Sequence, residues 1–153
     1  MVEFPFDFVF EIPSEIKSSV VFRRDQFYEV ALKRELNKAY TGFATPESTP
    51  SKVATGLWGC GAFGGNPEFK ALIQLLAASL SGRDLVFFAY GNTEFHQDFE
   101  NFLEFLKSIP KLTIGELYKT LALFCDRVNG TSLESRGFDS TVFEFCIDQL
   151  KQK

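Results

Sequence analysis

Residues 56–65 read GLWGCGAFGG and hold five glycines in ten positions. Glycine takes positive φ at little cost and lets a ligand approach the backbone with no Cβ in the way. A short strand candidate, 53–55, leads into this loop. Pro67 follows it where a helix can start, since the first helical N–H has no partner in any case. The new helix brings unpaired N–H groups and a partial positive charge to the end of the loop. Strand, glycine loop and helix together make a seat for a phosphate or pyrophosphate. A tight structural turn between strand and helix uses the same residues, and the glycines by themselves leave both readings open.

The residues after the loop decide which nucleotide motif it is not. A Walker P-loop ends in Gly-Lys-Ser/Thr, whereas Gly64-Gly65 is followed by Asn66-Pro67. The string from Gly59 to Gly64 does fit G-x-G-x-x-G, but a dinucleotide site also needs an acid at the end of the second strand to hold the ribose. Asp84 has the separation yet opens its strand; the far end carries Tyr90-Gly91-Asn92. A dehydrogenase is thereby disfavoured, while an aromatic at that place suits stacking on a base.

Other reactive side chains are weaker candidates. Cys60, near a helix N-terminus, could have a lowered thiol pKa, although packing explains it as well. His96 lies between Phe95 and Phe99 with Glu94 and Asp98 nearby. No G-x-S-x-G elbow accompanies it, so it reads as an exposed or capping histidine. Glu94, Asp98, Glu100 and Glu104 mark a solvated helix face, and Phe95, Phe99 and Phe102 a core or interface ladder. Arg23-Arg24 and Lys33-Arg34 form a small basic cluster, able to meet a polymer phosphate or simply surface.

These residues need elements to position them. Residues 1–22 alternate apolar and polar (Phe4, Phe6, Phe8, Phe10) and read as extended chain broken by Pro5 and Pro13. A helix is expected over 24–40, with Phe27, Val30, Ala31, Leu32, Leu36 and Tyr40 on one side, then a surface loop over 41–52. The next helix runs over 67–81 and stops at Gly82. Residues 84–90 form a near-continuous apolar run, as in a parallel strand buried on both faces. Thr93 caps a helix that Pro110 closes. Thr113 and Glu116 make a capping box for another, which runs to about Arg127. Asn129-Gly130-Thr131 fits a glycosylation sequon and reads as a turn. A last helix covers 140–150. The class is α/β with some parallel sheet and a helical tail.

Composition bounds the rest. At 153 residues, 45% apolar and 24% charged, the chain suits one globular domain and excludes a disordered tail. Nineteen Phe and four Tyr against one Trp call for a thick core or a partner-covered face. A net charge of −4 argues against a general nucleic-acid or anionic-membrane surface. Three spaced cysteines and one histidine make neither a disulfide framework nor a zinc site, and no cofactor or metal is expected. The N-terminus lacks the basic start and unbroken apolar run of a signal peptide. No stretch approaches the roughly 20 apolar residues of a membrane span, so a secreted or membrane protein is not expected.

RELNKAYTGF (34–43), VATGLWGCGAFGG (53–65), KALIQLLAA (70–78), RDLVFFAYGN (83–92) and KLTIGELYK (111–119) resemble, in order and spacing, the poly(ADP-ribose) glycohydrolases. The resemblance implies a macrodomain, an α/β/α fold that holds ADP-ribose, here its C-terminal part over 22–153 behind a divergent segment, 1–21. It makes 56–65 the diphosphate loop, so that Leu57, Trp58, Gly59, Cys60, Gly61, Ala62, Phe63 and Gly64 line the substrate, Phe63 nears the distal ribose, and Tyr90 lies beside the adenine. It also implies ADP-ribose or its polymer as partner, a part in DNA-damage signalling, and a nuclear or cytoplasmic address.

Three positions depart from the family's pattern. Leu57 stands for an asparagine, Asn66 for an aspartate, and Asn92 for an acid. The family's chemistry also needs a glycine-rich loop ending in Gln-Glu-Glu, because a carboxylic acid must protonate the leaving sugar oxygen. These 153 residues contain no Gln-Glu, no Glu-Glu and no triple glycine. Glu11 and Glu15 lie in the right order along the chain, with nothing to place them at a ligand. The expectation is a glycohydrolase relative without hydrolase activity as this chain alone. The alternatives are a non-catalytic ADP-ribose-binding or regulatory module, and a truncated product whose open strand edge favours aggregation.

Overall fold

The computed structural model describes residues 9–10, 24–44, 52–130 and 140–152. The expectation of extended chain over 1–22 falls outside these residues, as do Glu11 and Glu15, except at Val9–Phe10, a two-residue strand β1. A 3₁₀ turn, Arg24–Phe27, precedes α1, Glu29–Phe43. Then follow β2 (Val53–Gly56), α2 (Pro67–Leu80), β3 (Leu85–Phe88), α3 (Thr93–Ser108), α4 (Ile114–Gly130) and α5 (Val142–Leu150). The three strands are parallel in the order β1-β3-β2, with Val53 to Gly56 opposite Leu85 to Phe88. The fold is mixed α/β, as read from the sequence.

The helix α2 is the centre of the molecule. Ten of its fourteen residues are buried, including Gln74, because apolar side chains cover most of its circumference. Asn66 starts it by accepting the Phe69 N–H on its side chain at 2.8 Å, and Pro67 takes the first turn. Gly82, at φ 65°, ends it while the Arg83 N–H returns to the Ala78 carbonyl at 3.0 Å. The buried Gln74 side chain bonds in two directions: its Nε2 donates to the Gly56 carbonyl at 3.0 Å, and its Oε1 accepts the Thr55 hydroxyl.

A second knot is aromatic. Phe143 of α5 stacks on Phe102 with ring centres 4.5 Å apart and on Phe99 at 5.6 Å. Phe87 of β3 meets Phe99 edge-on at 5.3 Å. The ladder Phe95, Phe99 and Phe102 is therefore core. Glu68 ties α5 to α2 by accepting the Phe143 N–H at 2.8 Å. Phe27 enters the same core, edge-on to Phe69 and Phe124.

Several boundaries differ from the sequence reading. The first helix breaks at Tyr28, whose backbone is extended, because Phe27 turns into the core; it then runs on through Thr41 to Phe43. The Thr41 hydroxyl donates to the Asn37 carbonyl at 2.8 Å, and Arg83 Nη1 donates to the Phe43 carbonyl at 2.9 Å, so both hold the last turn. Residues 45–51 of the expected loop lie outside the described residues. Within the apolar run at 84–90 the strand proper is Leu85–Phe88, and its burial alternates: Leu85 and Phe87 are covered, Val86 and Phe88 half-buried. Among the described residues, the core takes in Val53, Leu85 and Phe87 but not Ala54, Val86 or Phe88. Asn92, not Thr93, caps α3, its Oδ1 accepting the Phe95 N–H at 3.2 Å. The Thr113–Glu116 box is in place at α4, and Thr141–Glu144 makes another at α5. Asn129 lies in the last turn of α4, donating to the Phe27 and Cys125 carbonyls at 2.8 Å each; Thr131 is outside the described residues.

Two substitutions separate these supports. Phe143→Ala removes the ring that Phe99 and Phe102 stack on and should cost about 3–5 kcal/mol in urea unfolding. Gln74→Leu keeps the volume but strips the Gly56 carbonyl and Thr55 hydroxyl of their partner, an expected loss of about 1–3 kcal/mol. Leu123→Ala, at an exposed position, should change the midpoint little.

Candidate functional site

The loop folds back on itself through short-range bonds. The Trp58 N–H reaches the Gly56 carbonyl at 2.8 Å, Cys60 reaches Leu57 at 3.2 Å, Gly64 reaches Gly61 at 2.9 Å, and Gly65 reaches Gly59 at 2.8 Å. Gly59 and Gly64 take φ of 74° and 64°, which their lack of a Cβ permits. Gly65 must be glycine for another reason: a Cβ there would stand 2.6 Å from the Gly59 carbonyl oxygen. After these bonds, the N–H groups of Gly59, Gly61, Ala62 and Phe63 find no acceptor among the described residues. Four such donors in five residues are the kind of backbone array that can meet an anion.

Two clefts flank the loop. The sheet-side cleft, about 500 Å³, is lined by Ala54, Thr55, Gly56, Leu57, Trp58, Phe88 and Tyr90. Leu57 is half-buried and packs on the core, whereas Trp58 and Tyr90 are exposed. Tyr90 has a positive φ of 49°, unusual for a side chain of its size, and its ring lies where a Cβ on Gly56 would be, 2.7 Å away. A strained backbone at the lip of a cleft is where ligand contacts concentrate. The structure thus brings Leu57, Trp58 and Tyr90 together around one opening.

The helix-side cleft, about 430 Å³, takes the other loop residues. Gly59, Phe63, Gly64 and Gly65 line it together with Asp25, Gln26, Arg34, Glu35, Lys38 and Lys70. Phe63 is 81% exposed, and Gly61 and Ala62 are exposed as well. Gln26 braces the loop end, donating to the Gly64 carbonyl at 3.3 Å and accepting the Asn66 N–H at 2.7 Å. Lys70 lies 5.5 Å above the Trp58 ring and bonds Glu35 at 2.8 Å.

Glu35 is the electrostatic centre of this side. Lys38 at 3.0 Å and Arg34 at 3.2 Å meet its second oxygen. Burial alone would push its carboxyl up; hydrogen bonds from Lys70, Lys38 and Arg34, with the Lys70 charge, reverse this and bring it down to about 2. The three loop-bracing side chains, Gln26, Glu35 and Lys70, escaped the sequence reading. Lys70 and Glu35 do fall within two of the segments that carry the family likeness, and Gln74 is conspicuous as an amide in an apolar helix.

The weaker candidates resolve as packing. Cys60 is buried, its thiol donating to the Trp58 carbonyl at 3.6 Å, and burial pushes it up to about 11. That is opposite to the lowering that a helix N-terminus could give. His96 is mostly covered rather than exposed, its Nε2 3.5 Å from Glu100. Glu94, Asp98, Glu100 and Glu104 are exposed, as expected. Lys33 pairs with Glu29 at 2.7 Å. Among the described residues, no group of three His, Cys, Asp or Glu could hold a metal ion, and no helix is long and apolar enough to cross a membrane.

The depressed Glu35 pKa fixes a pH dependence. Its folded value lies below the roughly 4.3 of an unfolded glutamate, so its stabilisation is complete above that value and is lost as pH falls toward about 2. Melting temperatures between pH 5 and pH 2 should fall less steeply in Glu35→Gln than in the parent chain. Equal slopes would remove Glu35 from the account.

The sequence matches the family described as Poly (ADP-ribose) glycohydrolase (PARG), Macro domain fold, over residues 16–97, just over half of the chain. Poly(ADP-ribose) glycohydrolase 1 of Caenorhabditis elegans is 32% identical over 122 residues, covering 78% of this chain and 15% of that protein. Poly(ADP-ribose) glycohydrolase 2 of the same organism is 40% identical over 89 residues, 57% of this chain and 18% of its own length. Probable poly(ADP-ribose) glycohydrolase 2 of Arabidopsis thaliana is 41% identical over 69 residues, 45% of this chain and 13% of its own. The chain thus spans less than a fifth of each of these relatives. With its glycine loop, the helix behind it and the strand beside it all inside the matched region, the chain belongs to the poly(ADP-ribose) glycohydrolase family and corresponds to the C-terminal part of the catalytic macrodomain.

Proposed function

We propose that this chain grips the pyrophosphate of ADP-ribose with the 56–65 loop and, as these 153 residues alone, does not cleave the polymer. The observation that carries the reading is the run of four N–H groups, on Gly59, Gly61, Ala62 and Phe63, that no protein acceptor takes among the described residues. Backbone donors fixed in a loop suit a diphosphate because they add no side-chain bulk and need little reordering when the anion arrives. Tyr90, exposed on the sheet-side cleft, is the flat face this reading gives to the adenine, and Phe63, exposed on the helix-side cleft, the ring it gives to the distal ribose.

The absence of cleavage follows from what lines the opening. Splitting a ribose–ribose bond passes through an oxocarbenium-like state and needs a carboxylic acid at the leaving oxygen. Among the described residues, no Asp or Glu lines the sheet-side cleft. The reading is therefore a binding or regulatory relative of the hydrolases whose names its relatives bear. A nuclear or cytoplasmic address and a part in the response to DNA damage go with that ligand.

Titration calorimetry with ADP-ribose tests the grip. The parent chain should bind. Gly65→Ala, whose Cβ collides with the Gly59 carbonyl, should abolish binding, and Tyr90→Ala should weaken it about tenfold, the scale of one lost base stack. No heat from the parent chain would end the proposal. Incubated with poly(ADP-ribose), the chain should release no ADP-ribose above a protein-free control; release would show a catalytic acid that the cleft lining does not contain.

A further inference from the structure

We propose that the helix-side cleft is a second phosphate subsite, taking a phosphate of a polymeric ligand beyond the unit held by the loop amides; this rests on the reading of the loop as a pyrophosphate grip. The cleft holds about 430 Å³ and shares Gly59, Phe63, Gly64 and Gly65 with that loop, so one ligand can engage both. Three cations face it. Lys70 is mostly buried, whereas the Arg34 and Lys38 side chains are 62% and 59% exposed.

All three converge on the one carboxylate of Glu35, which aligns them without matching their charge. Among the described residues Arg34 meets it through Nε alone, which leaves the fork of its two terminal nitrogens for a second anion. That fork fits phosphate oxygens two at a time. Lys38 uses one of three donors on the same oxygen. Asp25 is the other acid among the described lining residues, so among these cations outnumber acids three to two, in a chain whose net charge is −4. Phe63, on the same lining and 81% exposed, offers a stacking face to the sugar or base next to the phosphate. A ligand with one pyrophosphate per repeating unit matches an amide nest and a cation cluster that share a loop.

Arg34→Gln combined with Lys38→Gln leaves Lys70 on Glu35 and should lower the melting temperature at neutral pH only slightly. Calorimetric affinity for a purified poly(ADP-ribose) oligomer should fall about tenfold, with a flatter salt dependence, while affinity for ADP-ribose stays within about twofold. Equal losses for both ligands, or none for the oligomer, overturn the subsite. The Arg34 Nε–Hε resonance gives a second readout, with inorganic pyrophosphate as the free-anion arm. A shift by oligomer at concentrations where pyrophosphate leaves it still supports the polymer subsite; an equal response to both overturns it. A parent chain that shifts Arg34 with oligomer yet binds no ADP-ribose sinks the loop reading alone. One that binds ADP-ribose with the Arg34 resonance unmoved sinks the subsite alone.

Discussion

A single buried amide holds the site in register with the rest of the molecule. Gln74 lies fully inside the protein, where an unpaired polar group would be costly, so its partners are obligatory. Those partners are the Gly56 carbonyl and the Thr55 hydroxyl, at the point where β2 stops and the glycine loop begins. The central helix thereby sets the height at which the loop leaves the sheet. Gly56 completes the constraint from the other side: a Cβ there would lie 2.6 Å from the Phe88 carbonyl oxygen and 2.7 Å from the Tyr90 ring. Adjacent strand ends are therefore closer than any other residue allows, and Tyr90 is carried over the mouth of the loop.

The charges around Lys70 follow from its position in α2. A cation in the first turn of a helix opposes the positive end of the helix dipole. Lys70 stands there, and it is held by two features outside the helix, the Glu35 carboxylate at 2.8 Å and the Trp58 ring at 5.5 Å. The second contact reaches into the loop, and the first reaches α1. The same cation therefore links the loop to its backing helix, and Gln26 adds a second link at Gly64 and Asn66. Surface ion pairs contribute little on average. This one differs because the Lys70 and Glu35 side chains are both largely covered, at 14% and 15% exposure.

Much of this was legible in the residues. The loop, the helix after it, the strand beyond and the capping box at Thr113 all rest on local signals: glycine spacing, Pro67, apolar runs and a Thr-x-x-Glu quartet. The break at Tyr28 and the extension of α1 to Phe43 were not, because they depend on Phe27 entering the core beside Phe69 and Phe124 and on Arg83 reaching back to the Phe43 carbonyl. Those partners lie 40 or more residues away in sequence for Phe69 and Arg83, and no window of neighbours contains them. Likewise the division of the loop between two clefts is invisible in GLWGCGAFGG. It arises from which side α1 packs. The helix dipole suggested a reactive Cys60, but desolvation, a property of the folded state, outweighs it.

The departures from the family's pattern can be weighed by what each side chain now does. Asn66 and Asn92 both stand where the family has an acid, and both are N-caps whose side chains accept a backbone N–H, from Phe69 at 2.8 Å and from Phe95 at 3.2 Å. An amide oxygen performs that task as well as a carboxylate oxygen does. The helices are thus preserved while two negative charges leave the surroundings of the loop and of Tyr90. For an anionic ligand this lowers repulsion, and any hydrogen bond an acid would make to a ribose hydroxyl is weakened in the same step. Leu57 acts differently, since its side chain packs on the core. Gripping a pyrophosphate calls on backbone donors, which these changes leave alone; cleaving a glycosidic bond calls on a carboxylic acid beside the sugar. The two tasks depend on different atoms, so changes at Leu57, Asn66 and Asn92 bear on them separately.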